Sequence, residues 1–170
     1  MQQLCLTGDH AGIIVGRLFD ALNLRPVGLR ILPFAVDSAP AGDALHLLPP
    51  PPGSSCVPCR IRLTKERSVI VPQALAEVGA PGILSALRIQ SPVLLEGLHG
   101  DLLACEPFLD AVCQCMLSHR PVVLTADASA AAILRQHLPE ERQIWFDVPE
   151  DPAGQAALLN TLLPEASLRL

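Results

Sequence analysis

Apolar positions along the chain fall into two rhythms, short uninterrupted runs and longer stretches with helical spacing, and the two alternate. Gln3 to Thr7 is a short apolar run ending in Thr7-Gly8, and Ile13 to Leu22 behind it is compatible with a helix. That reads as strand, glycine-containing turn and helix. Asn23 and Pro26 stop the helix, and Val27 to Val36 predicts a second strand that Pro33 bends or places on an edge. The character then changes. From Asp37 to Ser55 the chain is rich in Ala, Pro, Gly and Ser, and Pro49-Pro50-Pro51-Pro52 favours an extended polyproline segment, so a surface excursion is expected at about 37–60.

Beyond it, Cys59 to Leu63 and Ser68 to Val71 flank Thr64-Lys65-Glu66-Arg67 as a hairpin. Pro72 to Glu77 opens a helix, which Pro81-Gly82 interrupts before Ile83 to Leu87. Pro92 to Gly97, Pro121 to Thr125 and Gln143 to Val148 read as strands. Glu106 to Leu117, Ser129 to Leu138 and a last segment from Asp151-Pro152 through Leu163 read as helices. Leu94-Leu95 and Val122-Val123-Leu124 are apolar on both faces. The expected fold is therefore a three-layer α/β domain over 1–170, a parallel sheet with helices on both faces. Ligands in such sheets gather at the carboxyl ends of the strands, here Gly8 to Gly12, Glu96 to Asp101, Thr125 to Asp127 and Asp147 to Asp151.

Composition removes whole classes of partner. The 170 residues are 50% hydrophobic and carry a net charge of -5, with aromatics at 3% and no Tyr. Such a chain has neither the electrostatic grip nor the stacking platforms for nucleic acid, nor a basic face for anionic lipid. No basic leader and no run of about 18 apolar residues is present, so no membrane association and a cytoplasmic location are expected. The six cysteines are then reduced thiols or metal ligands, not a disulfide framework.

Leu6-Thr7-Gly8, opening a turn and a helix, resembles the start of the small P-loop nucleoside triphosphatases known from thermophiles and from humans as the cancer-related nucleoside triphosphatases. Val78-Gly79-Ala80-Pro81-Gly82-Ile83-Leu84-Ser85-Ala86-Leu87 resembles that family's helix and loop before the Walker B strand. Pro92 to Val112, ending in Phe108-Leu109-Asp110-Ala111-Val112, resembles the Walker B strand, its loop and the next helix. The resemblance implies a P-loop fold and a nucleotide site. The chemistry departs from it. A phosphate-binding loop needs a Lys for the β/γ-phosphates and a Ser/Thr hydroxyl for Mg²⁺. Counting from Gly8 puts Ile13, Ile14 and Val15 where Gly-Lys-Thr stands in the family, and a one-residue deletion that aligns Gly12 still leaves Ile13 and Ile14. Lys65 is the only lysine in the chain. In the Walker B segment, Glu96 falls at the metal-binding Asp and Gly97 at the general base; the other register makes Glu96 the base and puts Leu95 at the metal. The resemblance thus implies a degenerate member whose tentative nucleotide or anion site is Gly8, Asp9, His10, Ala11, Gly12, Ile13, Ile14 and Glu96, with no catalytic residue assigned.

Two further groupings carry chemistry. Cys56-Val57-Pro58-Cys59 has Cys-x-x-Cys spacing, half of a zinc site that Cys113, Cys115 and His119 could complete, although Cys113 and Cys115 point about 200° apart on a helix. Glu96, His99 and Asp101 form an acidic, metal-capable loop, and Asp127 either lines the cleft or caps the following helix. Three functions follow. The first is a degenerate P-loop protein that holds a nucleotide or anion weakly, with Mg²⁺ if any nucleotide binding is retained, and acts through a protein partner. The second is an active nucleoside triphosphatase with a variant loop and Arg17 in place of the lysine. The third is a zinc-stabilised interaction module built on Cys56 and Cys59.

Overall fold

The computed structural model describes residues 2–36, 39–48 and 57–170, with the backbone alone at 34–36, 39–41 and 169. Its strands are β1 (Gln3–Thr7), β2 (Val27–Val36), β3 (Ala39–Leu48), β4 (Val57–Arg62), β5 (Ser68–Ile70), β6 (Val93–Leu98), β7 (Val122–Ala126) and β8 (Gln143–Asp147). They form one sheet in the order β5-β4-β3-β2-β6-β7-β1-β8. The half from β2 to β8 is parallel. From β2 outward the pairing with β3, β4 and β5 is antiparallel.

Helices α1 (Ala11–Ala21) and α6 (Pro152–Arg169) cover one face. Helices α2 (Pro72–Ala74), α3 (Ala80–Ala86), α4 (Glu106–Leu117) and α5 (Ala128–His137) cover the other. The alternation of β6 explains why both faces need covering. Val93 and Leu95 point into the α2–α5 layer and Leu94 into the α1–α6 layer, all essentially buried. Each such side chain contributes about 1.5–3 kcal/mol. The three-layer α/β expectation is met.

Several local readings change. Residues 39–48, expected inside the Pro-rich excursion, are β3, and 57–60 begin β4. Leu45 and Cys59 there are buried in the main core, and Gly42 permits the pairing, since a Cβ on it would lie 1.8 Å from the Arg60 carbonyl. The polyproline run itself lies outside the described residues.

The helix from Pro72 is not interrupted at Pro81: a π-helical segment, Leu75–Gly79, joins α2 to α3, and the Ala80 N–H reaches back to the Leu75 carbonyl. A wide turn just before a proline tolerates a residue that has no N–H to donate. The last helix also runs past Leu163, through Pro164, because Leu162 and Ala166 anchor it to the α1–α6 core. By contrast, α1 ends as its sequence directs. Asn23 takes a left-handed conformation (φ 52°) and the Leu24 N–H bonds back to the Phe19 carbonyl, the Schellman arrangement. Among the described residues no helix is long and apolar enough to cross a membrane.

Candidate functional site

The carboxyl ends of β1, β2, β6, β7 and β8 surround a cleft of about 730 Å³. Its lining includes Thr7, Gly8, Asp9, Gly12, Glu96, Gly97, His99, Thr125, Asp127 and Asp147, so three of the four expected loop regions meet there, and the fourth reaches it at Asp147 and Val148. Neighbouring strand ends in a parallel sheet make this convergence geometric and not incidental.

The connection from β1 to α1 is three residues, Gly8-Asp9-His10. Gly8 sits at φ 107°, which a side chain would strain, and the Ala11 N–H closes the turn on the Gly8 carbonyl at 3.0 Å. The Ile13 and Ile14 N–H groups both bond to the His10 carbonyl, at 3.0 and 3.2 Å. The Ala11, Ile13 and Ile14 N–H groups are thus committed to carbonyls of the turn itself. Asp9 is exposed, His10 half-buried at the helix cap without a side-chain bond, and Ala11 buried. Ile13 is 50% exposed and Ile14 lies wholly within the α1–α6 core, so neither enters the turn.

What does face the turn is Glu96. A Cβ built on Gly12 would lie 2.7 Å from Glu96 Oε1, and the other carboxylate oxygen, Oε2, accepts from Arg30 Nε at 2.5 Å. Register explains the pair: Arg30 and Glu96 are direct partners in the parallel β2–β6 ladder. Gly97, at φ 83°, follows immediately, and its N–H donates to Thr125 Oγ1 at 2.8 Å.

His99 Nδ1 lies 3.2 Å from Asp127 Oδ2, and Asp127 Oδ1 caps α5 by accepting the Ala130 N–H at 2.7 Å, so Asp127 both lines the cleft and caps the helix. Thr7 Oγ1 donates to Asp147 Oδ1. The cleft is thus edged by four carboxylates, from Asp9, Glu96, Asp127 and Asp147, while its described lining contains no Lys or Arg. Lys65 is exposed in the turn between β4 and β5, at the far edge of the sheet. Arg17 is exposed on α1 and outside the cleft lining.

A crystal structure of THEP1 from the hyperthermophile Aquifex aeolicus superposes on this chain with a TM-score of 0.66, covering 97% of this chain and 98% of that one at 16% identity. The two chains share their fold. No protein-family profile and no curated protein sequence matches the chain. On the resemblance drawn from the sequence, the Gly8 turn corresponds to the phosphate-binding loop and β6, which carries Glu96, to the Walker B strand. The residues present there do not fit a magnesium nucleotide. The turn is too short to wrap a phosphate, no ammonium group is at hand, and the carboxylate of Glu96 is turned toward Gly12 and Arg30.

Arg30 was not singled out by the sequence reading. Its signal was there, as the lone charged residue of the apolar strand Val27–Val36. Of the cysteines, Cys56 lies outside the described residues. Cys59 is fully buried on β4, and burial, helped by the charge of Asp43, pushes its thiol from 9.0 to about 12. On α4, Cys115 is buried and Cys113 half-buried, and burial raises both thiols. Among the described residues no group of three or more His, Cys, Asp or Glu is placed to hold a metal.

Proposed function

We propose that this chain is a P-loop-fold protein that no longer hydrolyses nucleoside triphosphates and has at most a weak hold on nucleotide. The observation that carries the reading is the three-residue β1–α1 turn, whose Ala11 N–H is closed on Gly8 and beside which Glu96 packs against Gly12. A triphosphate carries several negative charges and needs outward-facing N–H groups and a cation. This cleft meets it with carboxylates. Loss of the charge-assisted contacts alone removes about 1.5–3 kcal/mol per hydrogen bond. In the register that sets Glu96 at the metal, the water-activating base falls on Gly97, which has no proton acceptor on a side chain; in the other, Glu96 is the base and Leu95 leaves the metal without its carboxylate.

Phosphate release from ATP and GTP with Mg²⁺, together with calorimetric titration of both nucleotides, tests the reading. The expected result is no turnover above buffer and no saturable tight binding. Sub-micromolar, Mg²⁺-dependent binding, or turnover abolished by Glu96→Gln, would overturn it.

A further inference from the structure

We propose that Glu96 is a built-in counter-anion: its carboxylate occupies the phosphate end of the cleft, engages Arg30, and keeps external phosphate anions out. The inference rests on the reading above and goes beyond it, because it assigns the closure to one intramolecular contact. Three observations converge. First, Glu96 Oε1 lies 2.7 Å from the position of a Cβ on Gly12, so the absence of a side chain at 12 is what lets the carboxylate come this close to the first turn of α1. Second, Glu96 Oε2 accepts from Arg30 Nε, which commits an arginine beside the cleft to an internal partner. Third, α1 has neither a side-chain cap nor an acidic residue in its own first turn, so the negative charge that favours a helix N-terminus is supplied from β6.

The exposure of the pair gives the contact a direction. The Glu96 side chain is 12% exposed and that of Arg30 37%, so the carboxylate is the shielded partner and the guanidinium keeps an open side. Removing the charge of Glu96 therefore leaves a partly accessible guanidinium beside an uncapped helix start, a combination that favours a compact phosphate-type anion. Gly12 has a separate role here from the one a phosphate loop would give it, which is to admit Glu96.

The test is titration of the full chain with pyrophosphate, without metal, in the wild type, in Glu96→Gln, and in Glu96→Gln combined with Arg30→Gln. The wild type is expected to show no saturable binding up to about 10 mM, and Glu96→Gln to bind at least about tenfold more tightly, a gain the double variant loses. Saturable binding by the wild type, no gain in Glu96→Gln, or a gain that survives loss of Arg30 overturns the proposal. Glu96→Gln keeps the side-chain volume; should it fail to fold, Glu96→Ala, which also removes the charge and frees Arg30, is judged by the same criterion. Phosphate release measured on the same wild-type sample separates the two readings. Turnover there sinks the proposed function, whereas a missing gain in Glu96→Gln sinks the counter-anion alone.

Discussion

At the scale of single residues, two positions show how little freedom the sheet leaves. Gly97 sits at φ 83°, and a Cβ there would lie 2.3 Å from the Ile31 carbonyl. Gly97→Ala therefore combines left-handed strain with overlap on backbone, and a loss of about 2–4 kcal/mol is expected by urea unfolding; an unchanged midpoint would mean the strand ends can shift apart. Gln3 is the second. Its buried amide donates to the carbonyls of Met116, Ser118 and Arg120, while its oxygen accepts the Val122 N–H at 2.9 Å. Gln3→Leu keeps the bulk and takes this partner from the Met116 and Arg120 carbonyls and the Val122 N–H, while the Ser118 carbonyl keeps Arg142, so it should cost about 1–3 kcal/mol in the same measurement. That Glu96 lines the cleft was legible from its place at the end of an apolar run. Its partner was not, because sequence does not state which strand lies beside β6, and only that adjacency turns Arg30 toward it.

At the scale of elements, what could be read was what is decided locally. Asp151 caps α6 through the Gly154 N–H at 2.7 Å with Pro152 in the first turn, as the dipeptide implies. Asp151→Ala should lower stability by about 1 kcal/mol, seen as a small drop in the thermal midpoint; no drop would assign the helix start to packing alone. What escaped were the elements held by distant contacts. Proline at 81 and 164 signals an end when read along the chain. Both helices continue because Leu75 and Ile83 on one face of the sheet, and Leu162 and Ala166 on the other, hold the segments on either side. β3 escaped for a related reason. Its residues are individually ambiguous between coil and strand, and the eight-residue register with β2 decides the matter.

For the whole molecule, the parallel half of the sheet was readable from strands apolar on both faces and the β4–β5 hairpin from its polar turn, whereas the antiparallel β3 that joins them was not. The core also sets a dependence on pH. Burial pushes the Cys5, Cys59 and Cys115 thiols from 9.0 to about 12. Above pH 9 the unfolded chain releases these protons while the folded one retains them up to about 12, so stability falls as pH rises through that window and is untouched by these groups below it. The chain has no Tyr and a single Lys, so few other groups titrate there. Thermal midpoints should be steady near neutrality and decline above pH 9, and the decline should shrink when the three cysteines are replaced by alanine, although that variant starts from a lower midpoint. A decline of the same size in the variant would trace it to other groups.

The position of β1 carries a consequence for how the chain is made. The strand nearest the amino end, Gln3–Thr7, lies inside the sheet between β7 and β8. On the ribosome it emerges before both of these neighbours and must wait, unpaired, until residues 122–147 have followed it out of the exit tunnel. Closure of the central sheet is therefore a late, long-range event. A nascent chain halted before β8 has β1 exposed along one edge, an apolar ribbon open to the wrong neighbour.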